Sequence, residues 1–145
     1  MNSSKFINIF GTNYAVICLV LIWISDTFAF FGGKTFGKHR LAESISPKKT
    51  IEGSVIGFIF TIIGAIVMHM ILIPQFTYLN VIATAVIVGV FAQVGDLFES
   101  HLKRMVKVKD SSQLIPGHGG FLDRFDSMLF SVPALYIFLY LKSIM

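Results

Sequence analysis

The chain has 145 residues, 54% of them hydrophobic and only 14% charged, with a mean hydropathy of +0.76, whereas soluble domains carry about a quarter charged residues. That balance excludes a soluble globular domain and points to an integral membrane protein. The net charge of +4 does not indicate nucleic acid as a partner, because the aromatic residues fall in apolar stretches and not among the bases.

From the amino terminus, the uncharged run between Lys5 and Asp26 ends in "LVLIWISD" and predicts a first transmembrane helix near 6–25. It lacks the short apolar core and small-residue cleavage site of a cleavable leader. Cys18, the single cysteine, reads as a small buried hydrophobe. A polar segment follows over 26–52. Between Glu52 and Asp96 lie 43 uncharged positions, about twice the roughly 20 residues that one crossing needs. Two helices are therefore expected, near 51–73 and 78–98. The turn between them is "IPQFTY", where Pro74 removes a backbone donor and Gln75 and Tyr78 suit the interface. The stretch "HLKRMVKVKD", 101–110, predicts a cytoplasmic interfacial helix. A fourth span near 121–142 reaches the required length only if Asp123, Arg124 and Asp126 belong to its first turns. The expected fold is an all-α integral membrane protein of about four transmembrane helices, one domain over 1–145 without internal repeats.

Ten of the twelve Lys and Arg residues fall within 26–52 and 96–126, and only Lys5 and Lys142 lie elsewhere. The positive-inside rule assigns those two segments to the cytoplasm. For Lys34, Lys38 and Arg40, orientation and contact with anionic lipid are a sufficient account. All eight acids (Asp26, Glu43, Glu52, Asp96, Glu99, Asp110, Asp123 and Asp126) fall on the same face or at helix ends opening onto it. Lipid contact does not explain them.

An ionisable group inside a span costs about 2.5–3.5 kcal/mol at mid-membrane and less near the interface. Asp26 and Asp96 are expected at the carboxy-terminal ends of their helices, where the dipole is already negative and a positive partner is required. Asp123 and Asp126 stand at a helix amino terminus, and capping accounts for either alone. Asp96 and Asp123, meeting at one membrane level from adjacent helices, are better explained by a shared divalent cation. Mg²⁺ suits them, because it takes one or two carboxylates and completes its shell with water and substrate phosphate. Gly117, Gly119 and Gly120 permit close backbone approach before the fourth helix, whose free N–H groups form an anion site. Lys103, Arg104, Lys107 and Lys109 bracket that turn with positive charge. Base cluster, glycine turn and paired acids together describe a site for a metal-bound polyphosphate.

Read continuously, "SHLKRMVKVKDSSQLIPGHGGFLDRFD", from Ser100 to Asp126, resembles the signature of CTP:phosphatidate cytidylyltransferases (CDP-diacylglycerol synthases). "SDTFAFFGGKTFGKHR", "ISPKKTIEG" and "GDLFES" are also similar to segments of that family, with Phe30 where tyrosine is common. The likeness covers the chain from Trp23 onward. It implies that CTP and phosphatidate give CDP-diacylglycerol and pyrophosphate with Mg²⁺, and leaves room for a second cation. By the same resemblance Asp96 and Asp123 hold the metal, with Asp126 assisting. Lys103, Arg104 and Lys109 neutralise triphosphate oxygens, and His118 with the Gly119 and Gly120 amides meets phosphate or leaving pyrophosphate. His118 as a general acid is the alternative. Ser46 and Lys48 or Lys49 would contact nucleotide or lipid phosphate, with an interfacial role open for the lysines. Asp26, Ser100 and Arg124 complete the implied substrate-binding set. Family members carry further amino-terminal spans, so the resemblance implies either a fragment or a shortened form working as a homodimer or with a complementing amino-terminal chain, in the inner (plasma) membrane.

Two other classes compete. A looser likeness connects polyprenol kinases and archaeal-type lipid cytidylyltransferases, and intramembrane acids also occur in non-catalytic carrier subunits. A carrier would place charge at mid-membrane, however, and here the charges gather at one margin. Other residues read as structural. His69 is a packed histidine, and His39 and His101 lack ligand spacing. Gly53, Gly57 and Gly64 permit close helix packing, and Trp23 anchors at an interface.

Overall fold

The computed structural model describes residues 12–72, 77–105 and 126–144. Four helices carry the fold: α1 (Thr12–Phe36), α2 (Ile51–Leu72), α3 (Tyr78–Met105) and α4 (Asp126–Ile144). Between α1 and α2 lies a short antiparallel ribbon of β1 (Arg40–Ala42) and β2 (Ser46–Thr50), with Arg40 opposite Thr50 and Ala42 opposite Ser46. Stretches Val16–Phe36, Ile51–Ile71 and Tyr78–Met105 are long and apolar enough to cross a membrane. The 19 residues of α4 would extend about 28 Å at 1.5 Å per residue, close to the thickness of a hydrocarbon core.

Small residues draw α1 and α2 together. A side chain at Gly53 would meet the Ala29 carbonyl and the Gly33 backbone, and one at Gly57 would meet the Ser25 carbonyl and Ala29. Gly64 in turn faces Leu21 and Ile24. As the numbers rise on α2 they fall on α1, so the pair is antiparallel. The expected packing role of these glycines holds.

On α3, Val81, Ala85, Val88 and Ala92 are buried against Leu21 and Ile22 of α1 and Leu135 and Leu139 of α4 in one core. Ile51, Val55, Ile59, Ile63 and Val67 recur every four residues on the outer face of α2. On α2, small residues toward α1 and large aliphatic ones outward are the arrangement that lipid permits, since burial of bulk against another helix gains little over contact with acyl chains. Two buried hydroxyls bond within their own helices: Thr61 Oγ1 donates to the Gly57 carbonyl at 2.8 Å and Ser131 Oγ to that of Ser127 at 2.6 Å. His69 is buried edge-on to Tyr78, ring centres 4.5 Å apart, as expected of a packed histidine. Cys18 is buried too.

Two helices run further than hydropathy foretells. α1 passes through Asp26 and continues to Phe36, beyond the expected end at residue 25. α3 likewise passes Asp96 and ends at Met105, not at 98. Both acids therefore stand well inside their helices, and the negative dipole of a helix end does not act on them. The cause is tertiary: Gly33, which would weaken an isolated helix, is held against Gly53. The helix closes only at Gly37, whose N–H donates to the Gly33 carbonyl at 3.0 Å. Of the interfacial helix expected over 101–110, residues 101–105 continue α3, and 106–110 lie outside the described residues. So do 6–11 of the first span, most of the 73–78 turn, and 121–125 of the fourth.

Candidate active site

At the end of the bundle where α1 and α3 finish and α2 begins, a cavity of about 590 Å³ opens, within the range that holds a small ligand. α1 contributes Asp26, Ala29, Phe30, Gly33 and Lys34, and the connection and ribbon contribute Gly37, Lys38, Arg40, Leu41, Ser46, Lys48, Lys49 and Thr50. Ser54 of α2 and Gln93, Asp96 and Leu97 of α3 complete it. Five basic side chains face two carboxylates.

Each wall has a local cause. Thr50 ends the ribbon and starts α2, its Oγ1 accepting the Gly53 N–H at 3.2 Å, as an N-cap hydroxyl does. The Ile51 N–H donates to the His39 carbonyl at 3.0 Å, fastening the return of the ribbon. Across the ribbon the Arg40 guanidinium donates to the Pro47 carbonyl. Below, the Gln93 amide donates to the Ser54 carbonyl at 2.9 Å and braces α3 against α2.

The charges are concentrated on Asp96. Lys49 of β2 forms an ion pair with it, and the carboxylates of Asp26 and Asp126 lie close enough to repel it and each other. Gly95 makes the approach of Asp126 possible: a side chain there would run into the Asp126 carbonyl. Acids from α1, α3 and α4 thus lie close together, and the Lys49 ammonium faces those of α1 and α3. The positive partner that Asp26 and Asp96 require is Lys49. Among the described residues no group of three or more His, Cys, Asp or Glu is arranged to hold a metal ion. Adjacent Asp96 and Asp126 nonetheless form an all-oxygen pair of mutually repelling carboxylates, a donor chemistry that fits Mg²⁺ with water and phosphate in its remaining positions.

Asp26, Ser46, Lys48, Lys49 and Asp96, expected from the sequence, line the cavity together. Asp126 stands beside it at the start of α4. Ser100, Lys103 and Arg104 follow on α3 without lining it. Lys103 pairs with buried Glu99 at 3.5 Å, and the Arg104 Nε–H donates to the Ile45 carbonyl at the ribbon tip, 3.2 Å away, so Arg104 holds the ribbon down. Lys109, His118, Gly119, Gly120, Asp123 and Arg124 lie outside the described residues. Lys34, Lys38 and Arg40, attributed from sequence to orientation and lipid, also face the cavity. Gln93, Ser54 and Thr50 went unnoticed as lining residues. For Gln93 a signal existed, an amide deep in an apolar span one helical turn before Asp96. For Ser54 the sequence carried none.

A model of the cytidylyltransferase family matches residues 6–142. The chain is 42% identical over 134 residues to a phosphatidate cytidylyltransferase of Bacillus subtilis, covering 92% of this chain and 50% of that protein. It is 43% identical over 129 residues to one from Staphylococcus haemolyticus and 41% identical over 129 residues to one from Staphylococcus epidermidis, in each case covering 89% of this chain and 50% of the relative. It spans about half the length of the curated relatives it matches.

Proposed function

We propose, on the footing that the chain belongs to the cytidylyltransferase family, that it carries the catalytic half of a phosphatidate cytidylyltransferase. A phosphate oxygen of phosphatidate attacks the α-phosphorus of CTP, the bond from that phosphorus to the bridging oxygen breaks, and pyrophosphate leaves with its electron pair. The attacking oxygen is already anionic, so no general base is needed. The protein's work is alignment and charge neutralisation. Lys48 and Lys49, with Ser46, meet phosphate in the cavity, while Lys103, Arg104, Lys109 and His118 serve the triphosphate. Mg²⁺, when bound, supplies Lewis-acid neutralisation of phosphate oxygens. Asp96 and Asp123 would hold it, with Asp126 beside Asp96. The site faces the cytoplasm from the inner membrane, and a homodimer or a complementing amino-terminal segment is the proposed assembly.

One observation carries the reading. Residues from three separate family-like stretches, Asp26, the Ser46–Lys49 strand and Asp96, line a single cavity. The test is thin-layer analysis of purified chain with phosphatidate, α-labelled CTP and Mg²⁺, with and without a catalytically inactivated longer homologue. Label in the lipid together with pyrophosphate release is expected. Release of CDP would indicate a kinase instead, and an unlabelled lipid in both arms would overturn the reading.

A further inference from the structure

Glu52 lines no part of the cavity, yet it holds one of its walls. From the first turn of α2 its carboxylate accepts the Lys38 N–H at 3.1 Å and the His39 N–H at 3.2 Å, and it pairs with His39 Nδ1 at 2.6 Å. Lys38 and Arg40, on either side of His39, both face the cavity. Behind this contact the chain is fastened at Gly37 and again where Ile51 meets the His39 carbonyl. In between, no other partner is present among the described residues for the two adjacent main-chain donors.

We infer that Glu52 is a positioning residue that sets Lys38 and Arg40 at the cavity mouth, where they meet substrate phosphate. The inference rests on the function proposed above, because it takes phosphates to be what the cavity receives. Oε2 accepts both main-chain N–H groups, and Oε1 accepts the His39 N–H a second time beside His39 Nδ1. An amide of the same length leaves one oxygen for both main-chain donors and removes the negative charge they face. Charge-assisted bonds of this kind are also stronger than neutral ones.

The experiment compares Glu52→Gln, Glu52→Asp and His39→Gln in the full chain, in micelles. The readouts are the rate of tryptic cleavage after Lys38 and Arg40, equilibrium binding of labelled CTP with Mg²⁺, and KM against kcat for CTP and phosphatidate when the catalytically inactivated longer homologue is supplied. For Glu52→Gln, cleavage should quicken by about ten-fold, and either CTP binding or the KM for one anionic substrate should weaken by roughly five-fold or more, with kcat within about two-fold. Glu52→Asp keeps both acceptors and should recover part of the loss. His39→Gln keeps both main-chain bonds and should stay within about two-fold of wild type throughout. Wild-type cleavage in Glu52→Gln would overturn the inference, as would quickened cleavage with unchanged binding and KM. If no preparation turns CTP over, the proposed function falls, while the cleavage and CTP-binding contrasts still decide the role of Glu52.

Discussion

Replacing Gly95 by alanine tests how Asp126 reaches Asp96. The added methyl would lie 2.6 Å from the Asp126 carbonyl oxygen and 3.3 Å from the Phe130 ring. Carbon–oxygen contacts settle near 3.3–3.6 Å, so the start of α4 must retreat by roughly 0.7–1 Å. Overpacking of this sort costs about 1–3 kcal/mol, and alanine returns up to about 1 kcal/mol in helix propensity. The net loss of stability is thus modest, about 0–2 kcal/mol. Activity should suffer far more, because a displacement of about 1 Å among reacting groups can cost roughly a hundred-fold. Initial rates of labelled CTP incorporation, measured beside thermal unfolding in the same micelles, separate the two effects. Gly89→Ala is the internal control: its methyl would meet the flexible Phe58 ring at 3.0 Å, which can move aside, and it lies deeper than the carboxylates. Wild-type rates in Gly95→Ala, or an equal loss in Gly89→Ala, would refute the reasoning that backbone contact at residue 95 sets the acidic pair.

Asp96→Asn and Asp123→Asn should each abolish Mg²⁺-dependent incorporation while leaving membrane insertion intact, and normal turnover in either variant removes that residue from the mechanism. Arg104→Ala frees the ribbon tip at Ile45 and should raise the KM for CTP several-fold, by about 1 kcal/mol for one lost hydrogen bond; unchanged kinetics would reduce Arg104 to an orienting charge. Gly53→Leu would drive a side chain into the Ala29 carbonyl, 2.5 Å from its first carbon, and should lower the unfolding temperature with a loss of about 1–3 kcal/mol. An unaltered melting profile would place the α1–α2 contact elsewhere.

Hydropathy and charge are local properties, and they sufficed for the membrane class, the positions of α2 and the start of α3, and the grouping of acids and bases toward one end. The spacing of glycines on α2 likewise announced a close helix contact before its partner was known. Family-like stretches marked Asp26, Ser46, Lys48, Lys49 and Asp96 as site residues, although nothing in their order along the chain says that they share a cavity. Only tertiary structure decided that α1 continues through Asp26, because Gly33 is protected by Gly53 on another helix. It also decided that Lys49 neutralises Asp96, that Arg104 grips the ribbon, and that Lys34, Lys38 and Arg40 turn toward the cavity. Each of these depends on residues far apart in sequence meeting across a helix contact. A charge read as a boundary along the chain becomes, once the helices pack, an interior group with a partner, and no one-dimensional pattern contains that partner.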